Sequence, residues 1–209
     1  MIFVDGLQLE NAREPDFAFT TKSTKRITAE EILRTNFKLK DTITIPIGEK
    51  DYVFVVEHIR LLDNNNKKVY FVAKDIVAKS SMAREQINAV LDIIEADMPH
   101  EIVDVMETIE HKVNDYTLER KINILSRTNL QNGDEDFGYD GILFEGLQTE
   151  VERCKGCRWG LLDLWKESPY VPFPKYSIIV SSSGEIAADD MTHEHGIVPC
   201  FSIITRWNI

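Results

Sequence analysis

No apolar run in this 209-residue chain approaches the roughly 20 residues that cross a bilayer, so membrane insertion is not expected. Basic charge is scarce: 24 Lys and Arg stand against 35 Asp and Glu, a formal net charge of −11. A nucleic-acid partner held through its phosphates needs the opposite sign, and none is expected. The three cysteines, Cys154, Cys157 and Cys200, are too few for a disulfide framework. The opening MIFVDGLQLEN lacks a basic n-region and a long apolar h-region, so no export signal is expected and the protein should accumulate in the cytosol. Also missing are a Walker A loop, a G-x-G-x-x-G turn, an H-E-x-x-H helix and an EF-hand loop.

What is present is ample material for a core. Apolar residues make up 43% of the chain, and its length fits one domain with an appendage. Residues 1–40 have no sustained period, and their seven basic and six acidic side chains nearly balance. They read as an arm that needs a partner surface or its own domain to become ordered. Within it, TAEE offers Thr28 as N-cap and Glu31 three residues later, predicting a short helix over 28–35.

From Asp41 the pattern turns β. ITIPI alternates, YVFVVEHI (52–59) and VYFVA (69–73) are rich in β-branched and aromatic residues, and DNNNKK supplies the turn between them. Two amphipathic helices are expected next. Ile87, Val90, Leu91 and Ile94 fall on one face of REQINAVLDIIE. Ile102, Val105, Met106, Ile109 and Val113 do the same in MPHEIVDVMETIEHKV. Residues 81–120 carry ten acidic side chains against three basic ones, which the plainer reading assigns to solvated helix faces. SPYVPFP, with three prolines in seven residues, cannot be helical. YSIIV, GEIAA and IVPCFSII are short strands, with SSSG as a turn between the first two.

Several residues carry chemistry on paper. Cys154 and Cys157 form a C-x-x-C pair, and His193 with His195 would complete a Cys2His2 zinc set; the H-x-H spacing departs from the usual helical pair. The plainer reading is two loop cysteines before a tryptophan. Ser181 to Ser183, Asp189, Asp190, His193 and His195 include every residue type of a catalytic triad. They lie too close in sequence and lack a G-x-S-x-G elbow, so nucleophilic catalysis by them is not expected. Asp134, Glu135 and Asp136 could meet a hard cation, or simply form an exposed acidic loop. Tyr170, Phe173 and Tyr176 could make a contact surface or cover a sheet end.

Taken in order, MPHEIVDVM (98–106), INILS (122–126), LWKESPY (164–170), IIVSSSGEI (178–186) and GIVPCFSI (196–203) resemble a bacterial and phage domain of unknown function. That family carries YWLRSP-type and GVRPAL-type C-terminal motifs and is similar to the C-type-lectin-like fold of formylglycine-generating enzymes. The family arginines are replaced here by the stretch from Lys166 to Glu167 and by Val198. The resemblance implies an α+β fold: an arm over 1–40, then a C-type-lectin-like domain over 41–209 with two amphipathic helices and a short-stranded antiparallel sheet. It also implies a binding or structural protein without cofactors, a phage or prophage virion component made in the host bacterial cytoplasm. Its partners would be other virion proteins or itself, and a host surface protein or glycan. Asp189, Asp190, His193, His195 and Tyr170 are the expected binding-loop residues. The alternative is a cytosolic acidic protein that inhibits a basic host factor.

Overall fold

A computed structural model describes residues 26–63, 65–113, 116–131, 143–164 and 176–206. The chain begins with α1 (Ala29–Arg34), then β1 (Thr42–Ile47), β2 (Lys50–Leu61), β3 (Asn66–Ala73) and β4 (Ala78–Ser81). Next come α2 (Arg84–Asp97), α3 (His100–Asp104), β5 (Ile109–Val113), β6 (Tyr116–Arg120) and β7 (Asn123–Ile124). After 3-10 turns at Arg127–Asn129 and Glu145–Leu147 follow α4 (Glu150–Arg153), β8 (Trp159–Leu164) and β9 (Tyr176–Val180). The chain closes with β10 (Ile186–Asp190), β11 (Glu194–Ile197) and β12 (Pro199–Arg206).

The strands build two five-stranded sheets, ordered β1-β2-β3-β12-β7 and β10-β9-β8-β11-β4, beside a β5-β6 hairpin. Pairing is antiparallel except between β8 and β11. β1 lies at an edge, where the missing N–H of Pro46 is tolerated. The two sheets share one core. Phe201 stacks on Phe71 with centroids 5.1 Å apart and leans on Phe54 at 5.2 Å, while Trp159, Val180 and Ile197 come from the second sheet. Fully burying a side chain of this size stabilises the fold by about 2–3 kcal/mol.

Two connections shape the molecule. β11 runs almost directly into β12, so the chain crosses from one sheet to the other at Val198, which is fully buried. β10 and β11 lie three places apart in their sheet yet are joined by only Met191–His193. The second sheet must therefore curl back on itself at that end, and Met82 N donates to Met191 O at 2.8 Å across the closure.

The α+β expectation, with its C-type-lectin-like layout, is corrected. Sheet dominates, and the one short-stranded sheet expected is replaced by two five-stranded ones. α2 forms over 14 residues with Ile87, Leu91 and Ile94 buried, but the second long helix does not form. It stops as the five-residue α3; Met106 then bridges Ile203, and Glu107 N donates to Ser202 O at 2.9 Å. Ile109 and Val113, which extend the helical stripe, also fit the period of a strand, and pairing with β6 decides between the two.

The capping box expected at Thr28 is present, with Glu31 N donating to Thr28 Oγ1 at 3.2 Å and Thr28 N to Glu31 Oε2 at 3.0 Å. Ile32 and Phe37, read from sequence as part of the arm, are buried in the shared core. Residues 1–25 lie outside the described residues.

Candidate functional site

The β10–β11 connection gathers the polar residues singled out in the sequence. Asp189 and Asp190 end β10, Met191–His193 make the turn, and His195 lies inside β11. The Asp189 carboxylate is the hub. Its Oδ1 accepts from the backbone N–H of Asp190 at 2.8 Å and meets His193 Nδ1 at 3.1 Å; its Oδ2 accepts from Arg158 at 2.8 Å. Burial pushes the Asp189 carboxyl up, but the Asp190 N–H, the His193 hydrogen bond and the nearby His195 and His193 rings outweigh it and hold the group below its usual range. Asp190 secures the turn itself, accepting from the backbone N–H and the hydroxyl of Thr192 at 2.8 and 2.7 Å.

The hub separates two environments. Arg158 and His193 are exposed, at 62% and 63% of their side-chain surface. His195 is enclosed at 1%, its Nε2 stands 3.8 Å from Asp189 Oδ2, and neither ring nitrogen meets a hydrogen-bond partner. Burial lowers the proton affinity of this imidazole, against the pull of Asp189. Arg158 precedes β8 and enters the cluster because Gly196 N donates to Arg158 O at 2.9 Å, fixing β11 beside it. Nothing in the sequence pattern around CRWG pairs Arg158 with Asp189, 31 positions away.

The other expected ligands stand elsewhere. Cys154 and Cys157 are exposed free thiols; Cys154 faces Ser182 O at 2.9 Å and Cys157 faces Lys155 O at 3.6 Å. Among the described residues, no group of three or more His, Cys, Asp and Glu is placed to hold a metal ion. Ser181 and Ser183 hydrogen-bond each other at 2.8 Å in the β9–β10 turn. Tyr176 is 39% exposed at the start of β9, whereas Tyr170, Phe173 and Asp134 to Asp136 lie outside the described residues.

A second polar cluster went unnoticed in the sequence. Glu57 sits where the β2–β3 register slips between Val56 and His58, a bulge that turns its carboxylate inward. Lys40 Nζ donates to Glu57 Oε2 at 2.6 Å and also to Gly146 O, while Lys155 Nζ donates to Ala73 O at 3.0 Å. Burial raises the Glu57 carboxyl despite Lys40, because desolvation outweighs the ion pair. Burial likewise lowers Lys155, against the pull of Glu57 and Asp75. The available signal was a lone carboxylate inside the apolar run YVFVVEHI. These contacts engage five chain segments, at Lys40, Glu57, Ala73, Gly146 and Lys155 of the C-x-x-C loop.

Among the described residues, no helix is long and apolar enough to cross a membrane. Comparisons with protein-family models, with curated proteins and with solved structures find no match to this chain.

Proposed function

We propose that this protein is a non-enzymatic binding and structural component of a phage or prophage particle, which meets its neighbours through the β10–β11 turn. One observation carries the reading. Arg158 and His193 are exposed donors, yet both are anchored to a single carboxylate on a curled sheet, so they face solvent already oriented. A contact surface ordered in advance loses little conformational entropy on binding. The virion setting is supported by the ordered motifs from MPHEIVDVM to GIVPCFSI. Density-gradient purification of particles from the strain that carries the gene tests it. The protein should co-sediment with them, and its complete recovery in the particle-free fraction would overturn the virion setting.

A second reading, an acidic protein that inhibits a basic host factor, is favoured by one feature of α2. Ile93 is 60% exposed, with the exposed Asp97 one turn further along the helix, an apolar anchor beside a carboxylate. Salt-sensitive binding to a basic protein, abolished by Ile93→Asp, would favour it over the particle reading.

A further inference from the structure

The C-x-x-C loop is tied down on both sides of its two thiols. Ahead of it, Cys154 N donates to Glu150 O at 2.9 Å, and Arg153 Nε donates to Gly184 O at the same distance. Behind it, the fully buried Trp159 reaches back with Nε1 to Arg153 O at 3.1 Å, and Gly196 N holds Arg158 O at 2.9 Å. The middle is anchored as well, since Lys155 Nζ donates to Ala73 O at 3.0 Å. Cys154 and Cys157 nevertheless stay exposed as free thiols.

Gly156 sets how the loop turns. Its φ of +71 lies in the left-handed region, and the chain bends at Gly156 and Cys157. A left-handed residue third in a run of four is what a type II turn requires, and such a turn keeps its first and last Cα within about 7 Å. A disulfide spans Cα separations of about 4.4–6.8 Å. A Cβ at residue 156 would meet nothing within 4 Å, so the turn is open to a small reagent on that side. Cys154 Sγ faces Ser182 O at 2.9 Å, and Cys157 Sγ faces the more distant Lys155 O at 3.6 Å. Cys200 is buried and does not compete.

We infer that Cys154 and Cys157 are a redox-active pair, a modification site that closes reversibly to a disulfide by exchange with a low-molecular-weight disulfide such as oxidised glutathione.

That reagent is the oxidant, and the step balances with it. The thiolate of Cys157, the less engaged of the two, attacks one sulfur of the reagent; the S–S bond breaks and one thiolate leaves. The Cys154 thiolate then attacks the Cys157 sulfur of the mixed disulfide and expels the second. The two cysteine protons pass to the two released thiolates, so two protein thiols are oxidised and one small disulfide is reduced. Closure also withdraws the Cys154 thiol from Ser182 O, leaving α4 tied to the β9–β10 turn through Arg153 Nε on Gly184 O.

The full chain is equilibrated in glutathione buffers from fully reduced to fully oxidised, alkylated under native conditions and weighed by mass spectrometry. Wild type should pass in one step from two alkylated thiols to none, with no glutathione bound. Cys154→Ser and Cys157→Ser, both at exposed positions, should each keep one glutathione, because the thiol that expels it is gone. Glutathione retained by wild type at equilibrium, or exposed thiols still alkylated in the fully oxidised buffer, would overturn the pairing.

Discussion

Gly146 lies directly over the Glu57 carboxylate: a Cβ at residue 146 would sit 1.9 Å from Oε2 and 2.9 Å from Lys40 Nζ. The carboxylate cannot step aside easily, because its side chain is only 6% exposed and Lys40 grips it at 2.6 Å. Gly146→Ala should therefore cost about 2–3 kcal/mol in urea unfolding. Shortening the acid in a Glu57→Ala, Gly146→Ala double variant should recover part of the cost of the glycine change, and strictly additive losses would refute the contact.

The same carboxylate gives a pH signature. Its folded-state pKa is raised above 4.5, so the stability it contributes is fully present below that value and is lost as pH rises through the raised one. Glu57→Gln should thus gain stability relative to wild type near neutral pH and lose the advantage in acid. His195 and His58 act in the opposite sense. Burial lowers both below 6.5, so the stability tied to their neutral forms is present above 6.5 and is lost as pH falls toward their lowered values. His195→Gln should flatten the fall in unfolding free energy on that acid limb, and an unchanged slope would contradict the placement of His195.

Arg153 is buried and, among the described residues, bonds to carbonyls only. Its Nε donates to Gly184 O at 2.9 Å, and its Nη1 lies at 2.9 Å from Gln148 O, 3.2 Å from Leu147 O and 3.4 Å from Leu130 O. One guanidinium thereby joins α4 to the β9–β10 turn, where Gly184 has φ +95 and passes under Glu150 too closely for any Cβ. Arg153→Met should leave these carbonyls unpaired and cost about 3 kcal/mol, read as a lower urea midpoint. A loss of only a few tenths would show that the clamp is ornamental.

Thiol chemistry separates the cysteines. Cys154 and Cys157 are exposed, while burial raises the Cys200 thiol and β12 encloses it. Two thiols of the native protein should react with an aromatic disulfide reagent, and Cys200 should join only on unfolding.

Two short strands in the C-terminal third were legible. YSIIV and GEIAA became β9 and β10 because short β-branched runs between Gly, Ser and Asp turns admit few alternatives, whereas IVPCFSII, read as one closing strand, divides at Val198 between β11 and β12 of different sheets. The helix α2 and the capping box at Thr28 were legible for the same reason, a local signal with one reading. The stretch after α3 was not, since Ile109 and Val113 satisfy two periods and a pairing partner several residues on made the choice. The candidate site was half legible. The turn residues announced themselves, but the burial of His195 depends on β4 and β8 flanking β11, and Arg158 enters through a register the sequence does not encode locally. Glu57 escaped for a related reason: a bulge reverses the face that alternation assigns.

The most direct test is the particle content of an Arg158→Ala, His193→Ala double variant, since both side chains are exposed and their loss should leave the fold intact. If the Asp189 turn is where this protein is held by its neighbours, wild type will co-sediment with purified particles and the equally stable double variant will be missing from them. Incorporation of the double variant at the wild-type level would contradict that claim.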